Sequence, residues 1–265
     1  MKPRLWLVLA TFAVTAAACS SERRTSGEAS AATGAAAPPA KTAVRDAGPV
    51  DAPRAELKQH MSLHFAAVSE LQRAIVRGYL DEAKKLARWI LEHSEKVPEK
   101  WQPFVDELHA AAREVAGAPD LPTAGRLAAR LGRACSRCHE DLTAVVSFTW
   151  SPAPDDEPVL RTQMLRHQWA AARLWEGLVG PSDEMWTQGA TVLASTRLDL
   201  GTATTAAAAE LDRADVSALT AKVRELATRA GQLAEQDARA RLYGDLLVTC
   251  ASCHQLVRPR PAPGP

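Results

Sequence analysis

Two pentapeptides of one form, Cys135-Ser136-Arg137-Cys138-His139 and Cys250-Ala251-Ser252-Cys253-His254, start 115 residues apart in this chain. On a helix, residues three and four apart share a face, so each segment offers two thiols and an imidazole to one side. Cys-x-x-Cys-His is the attachment signature of c-type haem. The thiols reach the two vinyl groups of a porphyrin and the imidazole reaches its iron. The chain is therefore expected to hold two covalently bound haem c groups. One is bound through Cys135 and Cys138 with His139 on the iron, the other through Cys250 and Cys253 with His254. A zinc ribbon needs its two Cys-x-x-Cys pairs within about 15–20 residues of each other. A thioredoxin-like pair needs a strand before it, whereas both pairs here close alanine- and leucine-rich helical stretches.

The fifth cysteine, Cys19, follows a segment with a basic start (Lys2, Arg4), an apolar run from Leu5 to Val14 and the small residues Ala16-Ala17-Ala18. Residues 1–18 read as an export signal, too short to span a bilayer. Ala16-Ala17-Ala18-Cys19 resembles a bacterial lipoprotein processing site, with Ala16 where leucine is usual. The expectation is an acylated Cys19 and a protein held at the periplasmic face of a membrane. The alternative, Ala-x-Ala cleavage after Ala18, leaves a free thiol at the new terminus. Export fits the haem motifs, because c-type haem is attached outside the bacterial cytoplasmic membrane.

Residues 19–56 are rich in Ala, Ser, Pro and Gly with almost no large apolar side chain, so they cannot offset the entropy of ordering and read as a disordered tether. Residues 258–265, Arg258-Pro259-Arg260-Pro261-Ala262-Pro263-Gly264-Pro265, read as a disordered tail that proline keeps extended. Removing Lys2 and Arg4 with the signal leaves 30 basic against 31 acidic residues. Nothing in that balance points to a polyanion, so no nucleic-acid partner is expected.

The remaining residues divide by internal repetition. Leu127 and Leu131 precede Cys135 as Leu242 and Leu246 precede Cys250, and Met61-Ser62-Leu63-His64 corresponds to Met164-Leu165-Arg166-His167 at an offset of 103. Leu71, Ile75 and Val76 then match Leu174, Leu178 and Val179. Between these elements, helical spacing places two more helices in each half. Asp81 is expected to cap one through His93, and Phe104, Leu108, Ala111 and Val115 mark another. In the second half Trp186, Ala190 and Leu193 follow the Gly180-Pro181-Ser182 break, and Val216, Leu219, Val223 and Leu226 mark the third helix. The expectation is an all-α chain of two tandem four-helix bundles, 57–145 and 159–257, each ending in a haem motif. Residues 146–158 link them, and the second carries an extra loop around Leu200 to Ala214.

Motifs at the end of a last helix make the chain resemble the class II cytochromes c, the cytochrome c′ family, as a tandem duplication. Class I cytochromes c place the motif early and draw a methionine ligand from far downstream, yet no methionine follows His254. The resemblance implies that the first helix of each bundle faces the distal side of its haem, where His64 and His167 stand. His64, Val68, Leu71 and Ile75 follow i, i+4, i+7, i+11, as do His167, Ala171, Leu174 and Leu178, so both imidazoles belong to the inward stripe. Met61 and Met164, three residues earlier, are the alternative ligands. His60, His93 and His109 have no counterpart and are expected in solvent. Trp89, Trp101, Trp150, Trp169, Trp175 and Trp186 are candidates to line haem edges.

Two readings follow. With both irons six-coordinate, cycling between Fe(III) and Fe(II), the protein is a periplasmic electron carrier serving redox partner proteins. With an empty distal position it binds nitric oxide or carbon monoxide. No acid–base pair stands out beside a motif, so no enzymatic activity is expected.

Overall fold

A computed structural model describes residues 52–93, 97–198 and 213–256. The expected signal, Cys19, nearly all of the tether, most of the extra loop of the second half and the C-terminal tail lie outside the described residues. Within them, all regular structure is helical: α1 (Ala52–Val76), α2 (Leu80–Glu92), a single 3-10 turn (Glu99–Trp101), α3 (Gln102–Ala116), α4 (Leu121–Asp141), α5 (Leu160–Val179), α6 (Asp183–Ser195), α7 (Arg213–Ala230) and α8 (Gln236–Leu256). No described helix is long and apolar enough to cross a membrane.

Helix starts follow local chemistry. Asp120 caps α4, its Oδ1 accepting the Thr123 N–H at 2.7 Å. Hydrogen bonding to the Thr123 side chain, and then to its N–H, holds the carboxyl below the usual range. Ser182 caps α6 by accepting from the Met185 N–H at 3.3 Å. The expected cap at Asp81 is displaced: α2 begins at Leu80, with Tyr79 at the cap position and no side-chain hydrogen bond there. Asp81 and Glu82 instead lie in the first turn, where a carboxylate favours the positive end of the helix dipole.

Helices α1 to α4 pack in sequence, each on the next, and α5 to α8 do the same. The two series meet along α4, which lies against α8 and α5, while α1 also touches α8. One continuous apolar core runs through both, from Leu71, Ile75, Ile90 and Leu131 to Leu174, Trp175, Leu226 and Leu246. The expected inward stripe is realised in Val68, Leu71 and Ile75, and in Leu174 and Leu178, all buried.

Small residues set the register of the central pair. A Cβ on Gly125 would touch Leu247 and Val248, and one on Gly244 would lie 3.0 Å from the Arg126 Cα. Arg126 pairs with Asp245 at 3.6 Å and Arg133 with Asp237 at 2.6 Å. Positions rise along α4 as they fall along α8, so the two helices are antiparallel and their Cys-x-x-Cys-His segments face opposite ends. This pairing puts Cys250 level with about residue 122, roughly 20 Å along the axis from Cys135 at 1.5 Å per residue.

The tightest point is Gly132, where a Cβ would stand 2.6 Å from Trp175 Cζ3 and 3.3 Å from Leu178 Cδ2. Gly132→Ala is expected to destabilise by about 1–3 kcal/mol through overpacking. Gly117→Ala, whose Cβ would meet nothing closer than 3.5 Å, is expected to change stability by less than about 1 kcal/mol. Thermal melts of the two variants beside the parent check the contrast.

Candidate functional site

Both Cys-x-x-Cys-His segments occupy the last turns of long helices, α4 and α8. The turn after the first is closed by the Ala144 N–H on the His139 carbonyl at 2.9 Å and the Thr143 N–H on the Glu140 carbonyl at 3.1 Å. Thr143 sits at a left-handed φ of 48°. These bonds and that backbone form the Schellman stop of a helix, so α4 ends within a few residues of His139.

The four thiols repeat one arrangement. Cys135 and Cys250 pack against the core, and burial pushes each up to about 12. Cys138 and Cys253 are half-buried, and their thiols are also raised by desolvation. All four are free, with no disulfide within either pair. A dithiol built for exchange has a depressed thiol pKa and a ready thiolate. These cysteines are protonated and packed, the opposite condition.

His139 directs its Nδ1 to the Val179 carbonyl at the end of α5, 2.8 Å away. A carbonyl only accepts, so Nδ1 carries the proton and Nε2 keeps its lone pair. That is the tautomer a metal-ligating imidazole needs, fixed by a backbone partner. Arg133, two residues before the first motif, donates to Glu140 at 2.9 Å, to Ser136 Oγ at 2.9 Å and to Asp237 at 2.6 Å. It ties the motif turn to the start of α8 and, with Glu140 and Asp237, lines a polar cavity of about 480 Å³.

The two candidate distal histidines sit in different surroundings. His167 on α5 is buried, hydrogen-bonds the Thr196 backbone and feels the charge of His254. Desolvation is the main reason its imidazole falls to about 4. Its Nε2 is buried with no hydrogen-bond partner, an uncommon state for a polar atom. His64 on α1 instead directs Nε2 to the His93 carbonyl at 2.8 Å. Its ring lies 4.2 Å from His60 and 5.7 Å, edge-on, from Trp89. Burial, and the charges of His60, His109 and His93, lower its pKa against the opposing hydrogen bond.

Of the three histidines expected in solvent, His93 is exposed and His60 and His109 are half-buried, and all three lie close enough to His64 for their charges to act on it. His93 stacks on Trp89 at 4.0 Å and its Nδ1 donates to the Trp89 carbonyl at 2.8 Å. The i, i+4 spacing of Trp89 and His93 signals the stack, but nothing local signals the approach of α1. No metal-binding group of three or more His, Cys, Asp or Glu occurs among the described residues. Met61 is exposed and Met164 half-buried. Of the tryptophans, Trp175 and Trp186 are fully buried and Trp150 is exposed.

The residues present fit a covalently held haem on three grounds. Paired neutral thiols lie on one face of each terminal turn, His139 is held as its Nδ1–H tautomer, and an unpartnered His167 Nε2 lies within electrostatic reach of His254.

A haem-free chain, with the four motif cysteines changed to Ala, reports the His167 environment directly. The folded chain keeps His167 neutral down to about pH 4, whereas an unfolded imidazole protonates near 6.5. The unfolded state therefore binds more protons between those values, and stability present above pH 6.5 is lost as pH falls toward 4, by up to about 3 kcal/mol. Urea denaturation across that window should show the slope, and His167→Leu should flatten it.

No protein-family model matches the chain, and no curated protein or solved structure matches it either.

Proposed function

We propose that this chain is an exported diheme c-type cytochrome, built as two cytochrome c′-like four-helix units and acting in periplasmic electron transfer. The observation that carries the reading is the repetition of Cys-x-x-Cys-His at the ends of α4 and α8 with the same burial of its thiols. Cys135, Cys138 and His139 would hold one haem and Cys250, Cys253 and His254 the other. The group supplies a reversible one-electron couple at its iron. The chain supplies the thioether positions, the imidazole orientation through Val179 and a largely apolar interior around the first cysteine of each motif.

His167 is the distal ligand of the second haem, because a dry imidazole nitrogen with no partner is costly unless something accepts its lone pair. His64 is assigned to the first haem by its matching place on α1, and must release the His93 carbonyl to reach an iron. That bond favours a second reading for the first half alone: if it persists, the first haem keeps an open position and binds nitric oxide or carbon monoxide. Acylated Cys19 would hold the protein to a membrane surface, where redox proteins are its partners.

Mass spectrometry of the denatured, exported protein tests the core of the proposal. Two haems are expected, and Cys250→Ala with Cys253→Ala should remove one. A mass without haem sinks the reading.

The reduced protein should be low-spin at the second haem, and His167→Ala should make that haem high-spin and open to carbon monoxide. Carbon monoxide binding by the parent at one haem would assign the first half to gas binding, and binding at both would remove His167 from the ligand set.

Cys19→Ala should move the protein from the membrane fraction to the soluble periplasm with its visible spectrum unchanged. A parent already soluble there contradicts the lipid anchor.

A further inference from the structure

The antiparallel packing of α4 and α8 sets the two motifs roughly 20 Å apart along the helix axis. One aromatic pair occupies the interval. Trp175 on α5 and Tyr243 on α8 stack with ring centroids 5.5 Å apart and planes 28° from parallel. Both are fully buried, at 1% and 0% exposure. The indole edge presses on the α4 backbone at Gly132, one turn before Cys135. Tyr243 lies two turns before Cys250 on α8 and close enough to feel its charge. Gln72 of α1 accepts the Tyr243 hydroxyl, which also lies 3.2 Å from the Ala171 carbonyl. The order in space is therefore Cys135, Gly132, Trp175, Tyr243, Cys250.

We propose that the stacked Trp175–Tyr243 pair is the electron path between the two haems. The proposal rests on the diheme reading above. Electron tunnelling falls exponentially with the saturated distance crossed, and two π-systems in contact replace part of that distance. With haem held at both motifs, the pair would carry one electron between them, the donor group oxidised by the one electron that reduces the acceptor. No bond forms or breaks, and both rings return unchanged. The absence of a side chain at Gly132 has a role here beyond packing, because a Cβ would push the indole off α4. Trp175 and Tyr243 are positioning residues for this transfer and touch no substrate.

Packing and conduction can be separated, since they depend on different atoms of the same residues. Tyr243→Phe removes the hydrogen bond to Gln72 and keeps the ring. Tyr243→Leu and Trp175→Met remove a ring and keep an apolar side chain. The interhaem rate is read by flash photolysis of carbon monoxide from half-reduced His64→Ala protein, with haem midpoint potentials and thermal melts measured on the same samples.

Tyr243→Phe should lower the melting temperature and leave the rate within about twofold. Trp175→Met and Tyr243→Leu should each slow it by about tenfold or more, equivalent to about 1.4 kcal/mol on an activation scale, without moving either midpoint. Trp175→Phe should retain most of the rate, and it stands in if Trp175→Met does not mature. Equal rates in the parent and both ring-deleting variants, with two haems present, would overturn the bridge alone. A denatured mass lacking two haems would overturn the diheme reading and the bridge with it.

Discussion

The close approach of α4 to α8 and α5 is the constraint on which the remaining geometry depends. Helices normally pack with axes 8–10 Å apart, set by the side chains at the contact. Here Gly125, Gly132 and Gly244 leave no side chain at the crossing points, and Arg126, Leu247 and Trp175 fill the space. The salt bridges from Arg126 to Asp245 and from Arg133 to Asp237 flank that seam. Both are partly exposed, so they fix register more than they add stability.

From that seam follows the arrangement of the sites. Each motif ends a helix that is central to the molecule, so its first cysteine packs partly buried against the core and its last residues reach the surface. The same seam makes α5 a neighbour of the first motif: the His139 imidazole is oriented by Val179, a residue of the other half. The halves are therefore joined by a shared polar contact as well as by a shared core. Tyr243, hydrogen-bonded to Gln72 of α1, adds another such contact.

Much of this was legible in the residues. The paired motifs, the helical spacing and the correspondence of Met61–His64 with Met164–His167 are local patterns, and the helices appear where they were expected. The boundary that failed, at Asp81, failed because either Asp81 or Glu82 satisfies a first helical turn and the cap itself needs no side chain.

The sequence by itself determined the helical class, the positions of the thiols and imidazoles on helix faces, and the repeat. It did so because covalent spacing and the 3.6-residue period act within one segment. The antiparallel seam that sends the motifs to opposite ends was decided only by tertiary structure, as was the stacking of Trp175 on Tyr243. So was the difference between His167, left with an unpartnered nitrogen, and His64, turned to the His93 carbonyl. His64 and His167 occupy equivalent places in equivalent patterns, and their surroundings differ because the groups that face them come from other helices. Such contacts are fixed by how whole faces pack, and no period within a single helix encodes them.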